Sequence, residues 1–186
     1  MKHCIHPSAI VDTSHIGDNT SIWAFVHILK NVTIGASCNI CDHCFIEENV
    51  IIGDNVTIKC GIYIWDGITI EDDVFLGPNV VFTNDVRPRS KNHKESTKTL
   101  IKKGASLGAN SAILAGIIIG EYAMTGIGSV VTRNVPSYAL VYGNPAKQHG
   151  WVDEMGEKLV EIENNVWQSP TGKVFIESNN LLSPRK

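Results

Sequence analysis

Residues 28–76 read ILKNVTIGASCNICDHCFIEENVIIGDNVTIKCGIYIWDGITIEDDVFL, and an aliphatic residue returns at every sixth position of this stretch. The spacing extends in both directions without a miss, through Ile10, Ile16, Ile22, Ile28, Ile34, Ile40, Ile46, Ile52, Ile58, Ile64, Ile70, Leu76 and Phe82. A helix repeats every 3.6 residues and a strand every two, so neither accounts for a period of six. A fixed short period predicts a β-helix built from hexapeptide repeats.

The other positions of the repeat favour a triangular coil. Four residues after each of these anchor residues stands a small or β-branched residue, such as Cys38, Cys44 and Val50. One residue after the anchor there is often an acid or a glycine, and we interpret the glycine as serving a backbone shape that other residues find costly. Three hexapeptides then complete one coil of a prism. The anchor and the residue four positions later point inward, and successive coils lie about 4.8 Å apart.

The repeat is interrupted once. After Phe82 the anchors resume at Ile101, Leu107, Ile113, Ile119, Thr125 and Val131, with small or aliphatic residues four positions later. The segment 83–100, TNDVRPRSKNHKESTKTL, is polar and basic. A long loop on a rigid scaffold is usually functional or disordered, and we favour a functional loop because the rest of the repeat runs on unbroken.

Composition narrows the class of protein. The chain has 186 residues, enough for a domain with its own core, and a net charge of −3, which argues against a nucleic-acid partner. The first residues, MKHCIHPSAIV, contain no apolar segment of the signal-peptide type, and no apolar run has the ~20 residues of a membrane span. The sequence therefore predicts a cytoplasmic protein without membrane contact.

The cysteines allow two interpretations. Cys38, Cys41 and Cys44 have the CxxCxxC spacing of some metal or iron–sulfur sites, and Cys60 follows. The repeat places Cys38 and Cys44 on different faces of the prism, so the three thiols should diverge. We favour small core residues and no metal site, and unpaired thiols fit a reducing compartment.

The coils are predicted to end near residue 136, and residues 1–146 are assigned to the prism and 147–186 to a C-terminal segment. Apolar residues at Trp151, Met155, Leu159 and Ile162 have the spacing of a short amphipathic helix. Thr171-Gly172 lies between apolar residues and predicts a hairpin, and the residues from Asn179 onward are expected to be loose.

The whole pattern resembles the left-handed β-helix acyltransferases, and within them the nucleotide-sugar 3-N-acetyltransferases. The resemblance covers roughly residues 5–160. It rests on IWAFVHI at 22–28, EDDVFLGPNVVFTND at 71–85, PRS at 88–90, KKGASLGANSAI at 102–113 and YALVYGNPAK at 138–147. It implies an all-β, left-handed parallel β-helix, acetyl-CoA as donor with no metal, and a homotrimer with a site between each pair of neighbouring prisms.

The resemblance also implies an acceptor, the 3-amino group of a dTDP- or UDP-linked amino sugar. Asn84 matches the family position at this amine, although an Asn also commonly starts a turn. Asp85 is a candidate to accept a proton or to bind sugar hydroxyls, and otherwise is a solvated acid. His27 is a candidate general base or a site-lining residue, and equally a structural corner residue. The sugar amine is also able to lose its proton directly to the leaving sulfur.

Four further residues are candidates for substrate binding. Arg87 and Arg89 have the forked donors that suit a diphosphate, although both are also ordinary surface cations. Phe82 stands at the start of the loop. Trp65 shares with Trp23 a repeat position that often faces outward, which suits a subunit interface or a wall for base stacking. We favour the interface.

The coenzyme is expected along the later coils, as in the family. Small residues in register would form a smooth groove there: Gly108, Gly126 and Asn144 in one column, and Ala105, Ala123 and Val141 in another. Repeats also prefer small residues for packing alone. A backbone amide at Gly108 or Ala109 is the candidate oxyanion donor, and Arg133 and Lys147 are candidates for the CoA phosphates.

Several alternatives stay open. The preferred acceptor is dTDP-3-amino-3,6-dideoxyhexose, used for a surface polysaccharide such as O-antigen or S-layer glycan, and the alternative is UDP-2-acetamido-3-amino-2,3-dideoxy-glucuronate. A γ-class carbonic anhydrase uses the same scaffold but needs three converging histidines, and His15, His27 and His43 fall at different positions of the three-hexapeptide coil. A non-catalytic solenoid would not need the long basic loop.

Overall fold

The computed structural model describes residues 3–92 and 97–185, and within these ranges it contains strands and turns but no helix. The strands are β1 (Cys4–Ile5), β2 (Ile10–Val11), β3 (His15–Ile16), β4 (Ser21–Ile22), β5 (His27–Ile28), β6 (Thr33–Ile34), β7 (Asn39–Ile40), β8 (Phe45–Ile46), β9 (Ile51–Ile52), β10 (Thr57–Ile58), β11 (Tyr63–Ile64), β12 (Ile68–Ile70), β13 (Phe75–Leu76), β14 (Val81–Phe82), β15 (Thr99–Ile101), β16 (Ser106–Leu107), β17 (Ala112–Ile113), β18 (Ile118–Ile119), β19 (Met124–Thr125), β20 (Val130–Val131), β21 (Ala139–Gly143), β22 (Ala146–Trp151), β23 (Val160–Glu163), β24 (Val166–Gln168), β25 (Val174–Ser178) and β26 (Leu181–Pro184).

The strands form three parallel sheets that close into a triangular β-solenoid, consistent with the left-handed β-helix of hexapeptide-repeat proteins. Sheet A runs β1-β4-β7-β10-β13-β16-β19-β21, sheet B runs β2-β5-β8-β11-β14-β17-β20, and sheet C runs β3-β6-β9-β12-β15-β18. The chain visits the three sheets in turn, so each strand from β1 to β17 pairs with the strand three further along, and β19 pairs with β21. Ile40 thus lies beside Ile22 and Ile58. The β-helix prediction is confirmed.

The predicted interior is confirmed from the second coil onward. Every anchor from Ile22 to Val131 is buried, and so are the residues four positions later, from Val26 to Val80 and from Ala105 to Val135. Val86, four residues after Phe82, lies in the loop and is exposed. The first coil differs, because Val11 pairs with Ile28 and Ile5 with Ile22. Ile10 therefore faces outward with 56% of its surface exposed, and the prediction that it is an anchor is wrong. The first coil is one residue shorter than the regular coils, which moves the inward position to Val11.

The corners show that plus-one glycines serve close packing rather than backbone conformation. The left-handed conformation falls three residues after the anchor, where asparagine recurs at Asn31, Asn49 and Asn55 with φ near 60°. Gly35 is instead required because a Cβ there would lie 2.5 Å from the carbonyl carbon of Gly53 in the next coil. The interpretation that these glycines adopt a special backbone shape is wrong.

Side chains cap backbone amides from one coil to the next. The N–H groups of Ala24 and Ala36 donate to the Oδ1 atoms of Asp42 and Asp54, at 3.0 and 2.7 Å. The N–H of Asp54 in turn donates to Asp72 at 2.8 Å. Each donor lies two residues after its anchor and each acceptor lies one coil later. This ladder satisfies corner amides that have no strand partner.

The loop leaves the prism after β14 and returns at β15, as predicted, although residues 93–96 lie outside the described residues. Thr99 and Leu100 already belong to the returning strand. Ile70 pairs with Ile101 and Phe82 with Ile113. Both sides of the insertion therefore rejoin the stack in phase, and the prism continues as though the loop were absent.

The predicted C-terminal helix is wrong. Trp151 ends β22, which pairs antiparallel with β21, and the following residues form a turn in which the N–H groups of Met155 and Glu157 both donate to Asp153 Oδ1 at 2.9 Å. Gly156 adopts φ +81°, which ends any helical path, and Met155 is 82% exposed. The helical spacing of apolar residues is therefore coincidental, because only Trp151 and Leu159 of the four are buried.

The remaining residues form a separate antiparallel sheet, sheet D, in the order β23-β24-β25-β26. The hairpin around Thr171-Gly172 is confirmed, since β24 pairs with β25. The expectation of a loose end is wrong, because β26 pairs with β25 and buries Leu182. Glu177 Oε2 accepts hydrogen bonds from the indoles of Trp151 and Trp167 at 3.0 and 2.9 Å, which fastens sheet D to the end of β22.

Candidate active site

The site candidates fall on two different corners of the prism, on either side of sheet B. The A/B corner follows each strand of sheet A and contains Gly108 and Ala109. The B/C corner follows each strand of sheet B and contains Asn84. The two corners are separated by the width of sheet B, so one chain does not bring Asn84 next to Ala109.

Asn84 is exposed at the start of the loop, on a backbone that its neighbours hold in place. Thr83 donates its N–H to the Ile113 carbonyl at 3.1 Å, and Thr83 Oγ1 accepts the N–H of Ala115 at 2.9 Å. The Trp65 indole donates to the Phe82 carbonyl at 2.8 Å. Thr83 is a positioning residue that the sequence prediction missed, although its place between the last anchor and Asn84 was a usable signal.

The next loop residues form a compact turn. Asp85 is half-buried, and its Oδ1 accepts the N–H of Arg87 at 2.7 Å, which leaves the second carboxylate oxygen for another partner. Arg87 and Arg89 are exposed, and the Arg89 guanidinium donates to the Pro88 carbonyl at 2.9 Å. These contacts fix the turn that carries both arginines a few residues after Asn84.

His27 lies on the outer face of sheet B in an open cleft of about 340 Å³, lined also by Phe25, His43, Cys44, Phe45, Tyr63 and Trp65. His27 meets the Phe45 ring edge-on at 5.5 Å, and Phe45 contacts Tyr63 and Trp65 at 6.3 and 6.0 Å between centroids. His27 thus belongs to an aromatic surface rather than to a corner.

One chain does not bring His27 within reach of Asn84. The outward positions of sheet B run His27, Phe45, Tyr63 and Val81 on successive coils. Three coil steps separate His27 from Val81, or about 14 Å at the usual strand spacing. A proton transfer between His27 and an amine held by Asn84 of the same chain is therefore too long for a direct hydrogen bond.

Three of the predicted contact residues are core residues. Ala105 and Ala123 have no exposed surface, and Phe82 is 3% exposed. The reason is the repeat itself, because the anchor and the residue four positions later both point inward. Ala105 and Ala123 therefore do not line a coenzyme groove, and Phe82 takes part only through the carbonyl that Trp65 contacts.

The predicted glycine column is present but its third member is different. Gly108 lies over Gly126, and a Cβ on Gly108 would come within 2.7 Å of the Gly126 carbonyl carbon. Thr125 pairs with Val141, so Tyr142, and not Asn144, lies under Gly126. The same register puts Val141 beneath Thr125 rather than Ala123. The last coil is two residues shorter than the regular coils, which shifts both columns.

The oxyanion candidates are distinguished by their hydrogen bonds. The Gly108 N–H donates to both the carbonyl and Oγ1 of Thr125 at 3.0 Å, so it is occupied. Ala109 lies two residues after its anchor, Leu107. At the same position after other anchors, the amides of Ala24 and Ala36 are capped by carboxylates. Its equivalent in the next coil is Ile127, an apolar side chain that is 77% exposed and accepts no hydrogen bond. Within residues 3–92 and 97–185 the Ala109 amide has no hydrogen-bond acceptor, so it remains a donor for a ligand.

The residues predicted for the CoA phosphates are exposed and lie apart. Arg133 is on the B/C corner, two residues after Val131, where it lines a cleft of about 150 Å³ with Val141, Ala146 and Gln148. Lys147 lies in β22 opposite Tyr142, near the glycine column. Asn144 precedes Pro145 in the turn between β21 and β22, through a cis peptide bond.

The two tryptophans differ. Trp23 is half exposed on the A/B corner and donates to Asn39 Oδ1 at 2.6 Å, whereas Trp65 is half-buried against Phe45 and Tyr63.

The two buried cysteines already use their thiols in hydrogen bonds, since the Cys38 and Cys44 thiols donate to the carbonyls of Gly53 and Lys59. Across residues 3–92 and 97–185, no three His, Cys, Asp or Glu side chains are grouped as a metal site, and no helix is long and apolar enough to span a membrane.

Stacked hexapeptide strands, a single loop thrown out at Asn84 and an open corner amide define a transferase of the hexapeptide-repeat class. The family model "Bacterial transferase hexapeptide (six repeats)" matches residues 13–48 and 49–84. A relative from Aneurinibacillus thermoaerophilus, dTDP-3-amino-3,6-dideoxy-alpha-D-galactopyranose 3-N-acetyltransferase, is 67% identical over 161 residues, covering 86% of this chain and 84% of the relative. The chain belongs to the family of hexapeptide-repeat N-acetyltransferases that includes this enzyme.

Two solved structures share the fold. AntD from Bacillus cereus, an N-acyltransferase in complex with dTDP and 3-hydroxybutyryl-CoA, is 19% identical with a TM-score of 0.54, covering 82% of this chain and 81% of its own. The acetyltransferase domain of PglB from Neisseria gonorrhoeae, in complex with acetyl coenzyme A, is 17% identical with a TM-score of 0.53. The match to PglB covers 79% of this chain and 57% of that one.

Proposed function

We propose that the protein transfers the acetyl group of acetyl-CoA to the 3-amino group of dTDP-3-amino-3,6-dideoxygalactose. The 67% identity to an enzyme named for this reaction, over 86% of the chain, is the observation that carries the proposal. The anchored Asn84 and the open Ala109 amide supply the groups that such a transfer needs.

In the proposed reaction the neutral sugar amine attacks the thioester carbonyl carbon, and the carbon–sulfur bond then breaks. The Asn84 side chain accepts a hydrogen bond from the amine and directs its lone pair at the carbonyl. The Ala109 N–H donates to the oxygen that becomes negative in the tetrahedral intermediate. The amine proton passes to the leaving sulfur, which requires no base at His27. The guanidinium groups of Arg87 and Arg89 bind the sugar nucleotide's diphosphate.

We further propose that the active enzyme is a homotrimer with its sites between prisms. Asn84 and Ala109 lie on opposite corners of one prism, so a site that uses both takes one corner from each of two chains. Sheet B supports this arrangement, because its outer face exposes Ile10, Tyr63 and Val81 beside His27 and Phe45. Exposed apolar faces of this kind mark surfaces that are covered in an assembly.

The product fits a role in making a surface polysaccharide, such as O-antigen or S-layer glycan, with the enzyme in the cytoplasm where acetyl-CoA is available. Acetylation turns a cationic sugar substituent into a neutral amide. A glycosyltransferase would then use the acetylated sugar nucleotide as its donor.

The test is thiol release from acetyl-CoA with three acceptors: dTDP-3-amino-3,6-dideoxygalactose, its gluco epimer and UDP-2-acetamido-3-amino-2,3-dideoxy-glucuronate. Turnover is expected to be fastest with the galacto sugar. Preference for the UDP sugar would replace the proposed acceptor while keeping the reaction. Absence of turnover with all three, in folded protein, would contradict the proposal.

A further inference from the structure

Two cysteines of adjacent coils meet on the A/B corner. Ile40 pairs with Ile58, so Cys60 lies beside Asp42, one residue along from Cys41. With ~4.8 Å between strands and 3.8 Å between successive Cα atoms, the Cα atoms of Cys41 and Cys60 are about 6 Å apart. Disulfides span Cα separations in this range, so the spacing of the coils permits a bond between the two thiols.

The surroundings of this pair are open. Cys41 and Cys60 line a surface cleft of about 280 Å³ together with Trp23, Asn39 and Asp42. Cys60 is exposed and Cys41 is half-buried, with Asn39 Nδ2 donating to its sulfur at 3.8 Å. Burial, and then the neighbouring Cys60 thiol, raise the pKa of Cys41 above its usual value. Cys60 is therefore the accessible thiol, and Cys41 is the partner beside it.

The other three cysteines are differently placed. Cys38 and Cys44 are buried, and their thiols donate to backbone carbonyls at 3.1 and 3.2 Å. Burial raises the pKa of Cys44 to about 11, which makes its thiolate scarce at neutral pH. Cys4 is exposed in β1, where its neighbour on the next coil is Ser21. The geometry thus singles out one pair among the five cysteines.

We propose that Cys41 and Cys60 form a reversible dithiol–disulfide pair that is oxidised by small organic disulfides such as oxidised glutathione. The Cys60 thiolate attacks one sulfur of the organic disulfide, forming a mixed disulfide and releasing one thiolate. The Cys41 thiolate then attacks the Cys60 sulfur and releases the second. Both cysteines are oxidised by one electron each, the organic disulfide is reduced to two thiols, and these take up the two protons.

The pair stands above the candidate site on the same corner. Asp42, Cys60, Pro78, Ala109 and Ile127 follow one another on successive coils. A Cys41–Cys60 bond therefore joins two coils that lie in line with the Ala109 amide. The proposal itself does not require acetyl transfer, so its test and the test of the proposed function fail independently.

The experiment incubates the full-length protein with oxidised glutathione, quenches with acid and counts free thiols after denaturation. The expected result is a loss of two thiols per chain, a mass lower by two hydrogen atoms, and a cross-linked peptide containing Cys41 and Cys60. Dithiothreitol should restore all five thiols.

Three variants separate the pair from general thiol reactivity. Cys41→Ser should stop at the mixed disulfide and retain glutathione on Cys60, whereas Cys60→Ser should form no cross-link. Cys4→Ser, which changes the other exposed cysteine, should oxidise as the unaltered protein does. The proposal is overturned if the unaltered protein keeps all its thiols, or if it carries glutathione on Cys60 while Cys41 remains free.

Discussion

At the scale of single residues, neighbouring groups determine how the two candidate catalytic groups, the Asn84 side chain and the Ala109 amide, are presented to a ligand. Asn84 has no hydrogen bond that fixes its own side chain among the described contacts, but Trp65 and Thr83 fix the peptide between Phe82 and Thr83, directly before Asn84. Ala109 offers an amide of the kind that carboxylates of the next coil cap at Ala24, Ala36 and Asp54, whereas its own neighbour on the next coil is Ile127.

Replacing Asn84 by alanine should leave the fold intact and lower kcat/KM for the amino sugar by about 100-fold, the usual cost of a mispositioned reactant. The amide is exposed, so no packing is lost. Thiol release under subsaturating sugar measures the change. Asn92→Ala, in the same exposed loop, is the matched control and should retain activity. Equal losses in the two variants would assign the effect to the loop rather than to Asn84.

Ile127→Asp should cap the Ala109 amide in the way that Asp42 and Asp54 cap Ala24 and Ala36. We expect kcat to fall by on the order of 100-fold or more, because an oxyanion donor is withdrawn from the site. The melting temperature should not fall, since Ile127 is exposed. Ile127→Leu should behave like the unaltered protein. Full activity in the Asp variant would exclude the Ala109 amide as the donor.

At the scale of the hexapeptide, the coil is limited by how closely backbones approach. Gly35→Ala should lower the free energy of unfolding by ~1–3 kcal/mol, as overpacking commonly does, because the added methyl meets the carbonyl carbon of Gly53. Chemical denaturation measures this. Ser37→Ala, two residues away and exposed, is the control and should change stability by less than about 1 kcal/mol. A stable Gly35 variant would mean that the coils can separate locally.

The period-six pattern predicted most elements because inward residues repeat in sequence whenever they stack in space. It failed where a coil changes length, at Val11 and at Val141, since spacing alone cannot report a shortened corner. The apolar residues from Trp151 to Ile162 mimicked a helix, and the Asp153 turn and Gly156 prevented it. The site residues in the loop were predictable by resemblance. The burial of Ala105 and Ala123 follows from the repeat, because both stand four residues after an anchor.

At the scale of the whole molecule, sheet B separates the two halves of the candidate site, so assembly and activity should be lost together. Tyr63→Lys places a charge on the proposed interface, and we expect dissociation to monomers with loss of turnover. Ile51→Lys is the matched control, because its exposure is similar but it lies on another sheet: Ile51 is 51% exposed on sheet C and Tyr63 is 54% exposed on sheet B. Sedimentation velocity distinguishes them. A trimeric Tyr63 variant would place the interface elsewhere.

The constant register of the coils has a consequence for how this molecule can change in length. One additional coil between His27 and Asn84 would lengthen the surface between them by about 4.8 Å and leave every corner in phase. Between His27 and Val81 every coil has 18 residues, so an insertion there that is not a whole number of coils is expected to leave the prism as a loop, as the segment after Phe82 does. The distance between two surface residues along the prism axis therefore changes only by whole coils. A binding surface on this scaffold is fitted to a longer or shorter ligand by adding or removing complete coils.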